Sequence, residues 1–319
     1  MIKKVLLIGL LSLGNFLYAN INAVVSILPQ QTFLKAIGKD KVNITLMVKP
    51  GNSPHTYEPK PTQMKAISKA DIYFAIDVEF EKVWLKKFSD INKKMKIVDI
   101  SENIARMAME KHSHHDDHDG HDEKKHDDHD GHDDHDDHDG HDEKKHDDHD
   151  GHDDHDEHES TDPHVWVSPK NVKQIATNIY KTLIKIDAKN SNYYKQNYEE
   201  FMAKINKTDS DIKNILSKTP KHSKFMVFHP AWGYFARDYD LEQLAIEVEG
   251  KNPKPKTITH LIEEAKEENV KAIFTAPEFS DNIANMIANE LNIKVIKVSP
   301  LNPKWSKNLK RLAKAIANK

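Results

Sequence analysis

Short runs of β-branched and other apolar residues alternate with segments of helical period along most of the chain. Ala23 to Leu28 (AVVSIL) has the length of a strand and stops at Pro29, after which Phe33, Leu34 and Ile37 recur at helical spacing. Val42 to Val48 predicts a second strand, and residues 49 to 61 (KPGNSPHTYEPKP) a Pro-punctuated loop that holds His55. A helix over 62–69, a strand over 72–76, a helix over 80–88 and a strand over 96–100 follow. Ser168-Pro169 suits a helix start, because the Ser oxygen caps a free N–H and proline lacks only an orphan donor there. Val172, Ile175, Ile179 and Leu183 then share one face, and a second long helix is predicted from about Tyr193 to Leu216. Strands at 225–228, 241–248, 272–275 and 295–298, alternating with helices at 232–237, 258–268, 282–291 and 306–317, restart the earlier pattern.

The order is α/β, helices, α/β. It predicts two (β/α) lobes, 20–167 and 219–319, each on a parallel sheet, joined by a connecting helical region over 168–218. The natural place for a ligand is the cleft between them.

One stretch breaks the pattern. Residues 112 to 158 hold 16 of the 21 His and 22 of the 51 acidic residues, with 4 Lys and nothing apolar. Their formal charge of −18 leaves +14 on the rest, so the near-neutral total of −4 describes neither part. DDHDGHDEKKHDDHDGHDDH at 116–135 recurs unchanged at 136–155. A repeat of this length can build a solenoid, but solenoids stack apolar positions and this one has none. The expectation is an acidic His-rich insert without fixed structure when free of ligands, carried by the first lobe.

Residues 1–19 pair Lys3 and Lys4 with the apolar run Val5 to Leu11 and the small-residue ending Leu17-Tyr18-Ala19. This reads as a cleavable secretory signal peptide; the rival, an N-terminal membrane anchor, needs a longer apolar run. The chain has no Cys, which excludes disulfide scaffolds, thiolate zinc sites, Cys nucleophiles, iron–sulfur clusters and a lipid-modified N-terminal Cys. A soluble periplasmic protein is expected, and any metal must be held by His, carboxylate or water.

Outside the insert only His55, His164, His222, His229 and His260 remain. His55 follows Ser53-Pro54, His164 follows Pro163 and His229 precedes Pro230, each at a turn or just past a strand, where open α/β sheets place ligand-contacting groups. Imidazoles from three loops suit zinc, a borderline-soft cation that takes nitrogen donors. Taken singly, each reads as well as a hydrogen-bonded surface residue, and ligands so far apart form no compact motif. His222 and His260 lie among charged residues and read as solvated. Glu247 and Glu249 read equally as cleft-orienting groups and as exposed strand-end charges, and Trp166, Trp232 and Trp305 as core or cleft wall. No phosphate-cradling loop and no aromatic–basic interleaving for nucleic acid is present.

The segments KPGNSPHTYEPKPTQ around His55, TDPHVWVSPKN at His164, VFHPAWGYFARDY at His229 and IEVEGKNPKP resemble, in order and over nearly the whole chain, the metal-binding receptors of bacterial ABC importers, specifically the high-affinity zinc uptake type. The resemblance implies two lobes joined by a long rigid helix, with Zn2+ in the interlobe cleft. His55 and His164 would come from the first lobe and His229 from the second. Manganese members tend to carry a carboxylate at the position of His229, and zinc members carry a His-rich insert where this chain does. The chain departs from the pattern at Val298-Ser299-Pro300-Leu301, where many members have Asp in place of Ser299. Three protein ligands plus water are therefore expected, with Ser299 at most hydrogen-bonded to that water.

The function implied is a monomeric periplasmic receptor that captures zinc and delivers it to a membrane ABC permease, with no bond chemistry. A zinc hydrolase also leaves an open coordination position, but it needs a positioned general base and no HExxH-like pairing is present. A periplasmic zinc buffer or adhesin dominated by the insert is the other alternative, marked by many weak sites and no tight one.

Overall fold

The structure, a computed structural model, describes residues 20–109, 161–247 and 253–317. The signal-peptide reading, the His-rich insert and Glu249 lie outside the described residues.

The first lobe contains β1 (Ile21–Val25), α1 (Leu28–Gly38), β2 (Val42–Leu46), α2 (Pro61–Ile67), β3 (Ile72–Ala75), α3 (Glu79–Ile91) and β4 (Lys96–Asp99). Two helices follow, α4 (Pro169–Ile186) and α5 (Ser191–Leu216). The second lobe runs through β5 (Ser223–Val227), α6 (Gly233–Asp238), β6 (Leu241–Ala245), α7 (Pro255–Glu267), β7 (Ala272–Thr275), α8 (Asn282–Leu291), β8 (Lys294–Lys297) and α9 (Trp305–Ala317).

Both sheets are parallel and share one topology, β2-β1-β3-β4 in the first lobe and β6-β5-β7-β8 in the second. The central strands β3 and β7 are buried along their whole length, as expected of strands covered by helices on both faces. In each lobe the strand order reverses between the first and third strands. The loops leaving β1 and β3, and those leaving β5 and β7, therefore diverge and open a crevice at the strands' carboxyl ends.

The predicted link is two helices. Ser168 caps α4 by accepting from the Asn171 N–H at 3.0 Å, and Val172, Ile175, Ile179 and Leu183 are buried on one face. At about 1.5 Å per residue, α5 is about 39 Å long. It packs on α1 of the first lobe and on α9 of the second.

The lobes are fastened to one another as well as linked. Phe33 of α1 meets Trp305 of α9 edge-on, with ring centres 5.6 Å apart. Trp305 Nε1 donates to the Trp166 carbonyl at 2.7 Å, Trp166 Nε1 to the Pro300 carbonyl at 3.0 Å, and Thr32 Oγ1 to the Pro303 carbonyl at 3.1 Å. One apolar core extends from Val24 and Phe74 through Ile175 and Ile205 to Phe225, Trp232 and Leu312. A second, smaller cluster (Met226, Leu244, Leu261, Ile287) fills the other face of the second sheet.

Candidate metal centre

The three Pro-flanked histidines come together in the cleft. His55 is on the loop between β2 and α2, His164 opens the 3-10 turn Val165–Val167 before α4, and His229 follows β5. The His229 ring lies edge-on to both others, its centre 5.3 Å from that of His55 and 5.1 Å from that of His164. His222 and His260 stay at the surface, beside Glu242 and Glu263.

Each of the three rings turns Nδ1 toward a carboxylate. Asp162 Oδ1 lies 2.8 Å from His164 Nδ1 and also accepts from the His164 backbone N–H at 2.8 Å, which fixes both ring and loop. Glu247 Oε2 lies 3.1 Å from His229 Nδ1. Glu79 Oε2 is 3.6 Å from His55 Nδ1, an ion-pair distance longer than a hydrogen bond. An ionised carboxylate only accepts, so the proton belongs on Nδ1 of His164 and His229 and the free lone pair on Nε2. A carboxylate on the far ring nitrogen is what gives a metal-binding imidazole its tautomer and orientation.

Nε2 of His229 is buried without a hydrogen-bond partner. Such an atom costs about 1–3 kcal/mol when nothing meets it, so a native structure that keeps one has a use for it. The cavity it faces is walled by His55, His164, Trp166, Glu278, Phe279 and Leu301, with a volume of about 20 Å³. That is room for one ion or water rather than an organic molecule. Among the described residues no three His, Cys, Asp or Glu side chains are already gathered as a closed metal set. The imidazoles are convergent, with His229 as the member common to both pairs.

The reach into water is uneven: the side chain of His55 is 34% exposed, that of His229 10% and that of His164 6%. Burial lowers the His55 pKa below its ordinary value, helped by the nearby His229, while Glu79 and Glu247 pull it back up. The lowered value keeps the ring an unprotonated donor further into the acid range.

Several residues that complete the centre carry no signal in the chain pattern. Asp162 stands two positions before His164, Glu79 follows β3 and Glu278 follows β7. Glu247, ambiguous as a strand-end charge, is 6% exposed and belongs to the site. Gly233, at the start of α6, admits the Asp162 carboxylate: a Cβ there would meet Asp162 Oδ2 at 3.0 Å. Phe279 stacks on His229 with ring centres 4.9 Å apart. The Ser299 hydroxyl is engaged with protein groups in the cleft wall. Its hydrogen goes to Glu278 Oε1 at 3.0 Å, and its oxygen accepts the Leu301 N–H at 3.0 Å.

The chain is 28% identical over 294 residues to the zinc-binding protein AdcA of Streptococcus pyogenes, an alignment that covers 91% of this chain and 52% of that protein. It thus spans about half the length of AdcA. It is 29% identical over 276 residues to the high-affinity zinc uptake system protein ZnuA of Bacillus subtilis, covering 86% of this chain and 76% of that one. A crystal structure of ZnuA superposes with a TM-score of 0.76 at 36% identity, covering 94% of this chain and 98% of the other. Residues 23–319 match the model of one protein family. With the two-lobed fold and the cleft in place, the chain belongs to the zinc-uptake complex component A periplasmic family, ZnuA.

Proposed function

We propose that the protein is a periplasmic receptor that captures Zn2+ between its lobes through His55, His164 and His229 and hands it to a membrane ABC permease. Zinc is cargo here, no bond is made or broken, and the chain acts as a monomer and not as an enzyme. The observation that carries this reading is the orphaned, buried Nε2 of His229, facing an ion-sized cavity and ringed by His55 and His164.

Three further points support it. Two imidazoles on one tetrahedral zinc, with donor nitrogens at about 2.0–2.1 Å, have ring centres about 5 Å apart, close to both observed separations. Nitrogen donors favour zinc over manganese, which prefers oxygen. Relatives in the same family are named for zinc binding or zinc uptake.

Competitive zinc titration tests the assignment. His55→Ala, His164→Ala and His229→Ala are each expected to weaken the tight site by at least about 100-fold, the upper end of what loss of a supporting group alone costs. Full retention in any one variant removes that residue from the set. Affinity is also expected to fall from about pH 7.5 to about pH 5, because protons compete for the imidazoles. A flat profile would contradict an imidazole site.

A further inference from the structure

The cavity wall contains a carboxylate that the three-histidine reading does not use. Glu278 follows β7, and His229 follows β5. These are the two central strands between which the second sheet reverses its order, so both side chains stand at the same crevice. Glu278 lines the same cavity as the three imidazoles.

Its partners set it apart from the other acids of the cleft. Asp162, Glu79 and Glu247 each face the Nδ1 of a histidine. Glu278 faces none. Among the described residues its hydrogen-bond partner is the Ser299 hydroxyl, which lies 3.0 Å from Oε1 and 3.2 Å from Oε2. Ser299 is 8% exposed and is itself fixed by the Leu301 N–H, so it works as a clamp on the carboxylate. A single hydroxyl hydrogen cannot occupy the lone pairs of two carboxylate oxygens. A half-buried carboxylate with lone pairs to spare, in the same cavity as three imidazoles and with no Lys or Arg ion pair among the described residues, is suited to a cation.

We propose that Glu278, held in place by Ser299, is the oxygen donor that completes the coordination of the captured ion. This rests on the zinc-receptor reading above. It replaces the bound water expected from sequence with a protein ligand, and it gives Ser299 a positioning role. Three imidazoles and one carboxylate form a set that zinc accepts, and the carboxylate cancels half of the ion's charge in a cavity with little water.

The test uses Glu278→Gln, which keeps shape and removes charge, in zinc competition and in the visible absorption of the Co2+-loaded chain. A thermal melt establishes that the variant is folded. The expected result is a zinc affinity about 10–100-fold weaker and a shift of the cobalt bands, as an anionic oxygen leaves the coordination sphere. Unchanged affinity overturns the proposal. So does weaker affinity with unchanged cobalt bands, which would make Glu278 a structural neighbour and not a ligand. Glu278→Ala repeats both readouts should the glutamine amide itself bind the metal. Failure of this inference alone leaves the three His→Ala losses intact; failure of the receptor reading removes those as well.

Discussion

Glu81 is a buried carboxylate outside the candidate metal centre. It is 2% exposed at the switch point of the first sheet, where its carboxylate accepts from the Ser26 hydroxyl and from the N–H groups of Ile76 and Asp77, at 2.9 and 2.6 Å. Tyr73 extends the chain of hydrogen bonds to Ser26 at 2.7 Å. Burial raises the Glu81 pKa from 4.5 to about 7 against the pull of those donors. A folded-state value above the unfolded one means that the protonated group favours the fold. This contribution is complete below about pH 4.5 and is lost as pH rises through about 7, for a total of about 3 kcal/mol. Urea unfolding of Glu81→Gln is therefore expected to lack this part of the decline between pH 5 and pH 8. Parallel profiles for parent and variant would show that Glu81 does not titrate in the folded chain. Residues of this kind mark what the sequence conceals. Prolines and strand ends marked His55, His164 and His229 as candidates, and their gathering in one cleft was an expectation of the family resemblance rather than of the spacing. The roles of Glu79, Glu81, Glu247 and Glu278 were not legible, because each depends on a neighbour from another strand or loop, and an acid after a strand looks the same whether it is solvated or buried.

Among the elements, α4 shows how a local signal becomes a tertiary one. The Ser168 oxygen caps the helix, and its hydroxyl hydrogen goes to Asp238 at the end of α6, so one side chain ties the helix start to the second lobe. Ser168→Ala is expected to cost about 2.5–4 kcal/mol, a cap of about 1 kcal/mol plus a charged hydrogen bond of about 1.5–3 kcal/mol. In a domain of this size that lowers Tm by roughly 5–16 °C. A melt within 1 °C of the parent would refute the double role. The strands and helices themselves were readable to within about three residues at each end, and best where runs such as Ile72–Ala75 and Ala272–Thr275 are buried on both faces and need apolar side chains throughout. Strand order was not readable, because parallel neighbours leave no mark on one another's pattern. Nor was the placement of α9, whose apolar face (Leu309, Leu312, Ile316) suits the sheet of its own lobe and α5 equally well.

At the scale of the whole molecule, the described residues on either side of 110–160 are clasped to one another and to the second lobe. Ala108 and Thr161 pair as an antiparallel bridge, Asp162 N–H donates to the Met107 carbonyl at 2.8 Å, and Tyr234 Oη joins Met107 N and the Asp162 carbonyl at 3.1 and 3.0 Å. Every member of that clasp lies outside 112–158, so the position of His164 is expected to survive removal of those residues. The shortened chain is expected to keep one tight zinc site and to lose the weak sites that 16 imidazoles supply. Disappearance of the tight site on deletion would make the repeat, and not the cleft, the binding element.

The core that passes without a break from the first sheet through α4 and α5 into the second lobe carries a further consequence. Two lobes that share a large apolar interface do not swing freely, since opening them would expose that surface to water. On the reading proposed above, loading an ion would alter the loops around His55, His164 and His229, together with the local electric field, far more than the angle between the lobes. A permease that has to tell a full receptor from an empty one would then read a small change of relief at the rim of the cleft and the arrival of positive charge beneath it.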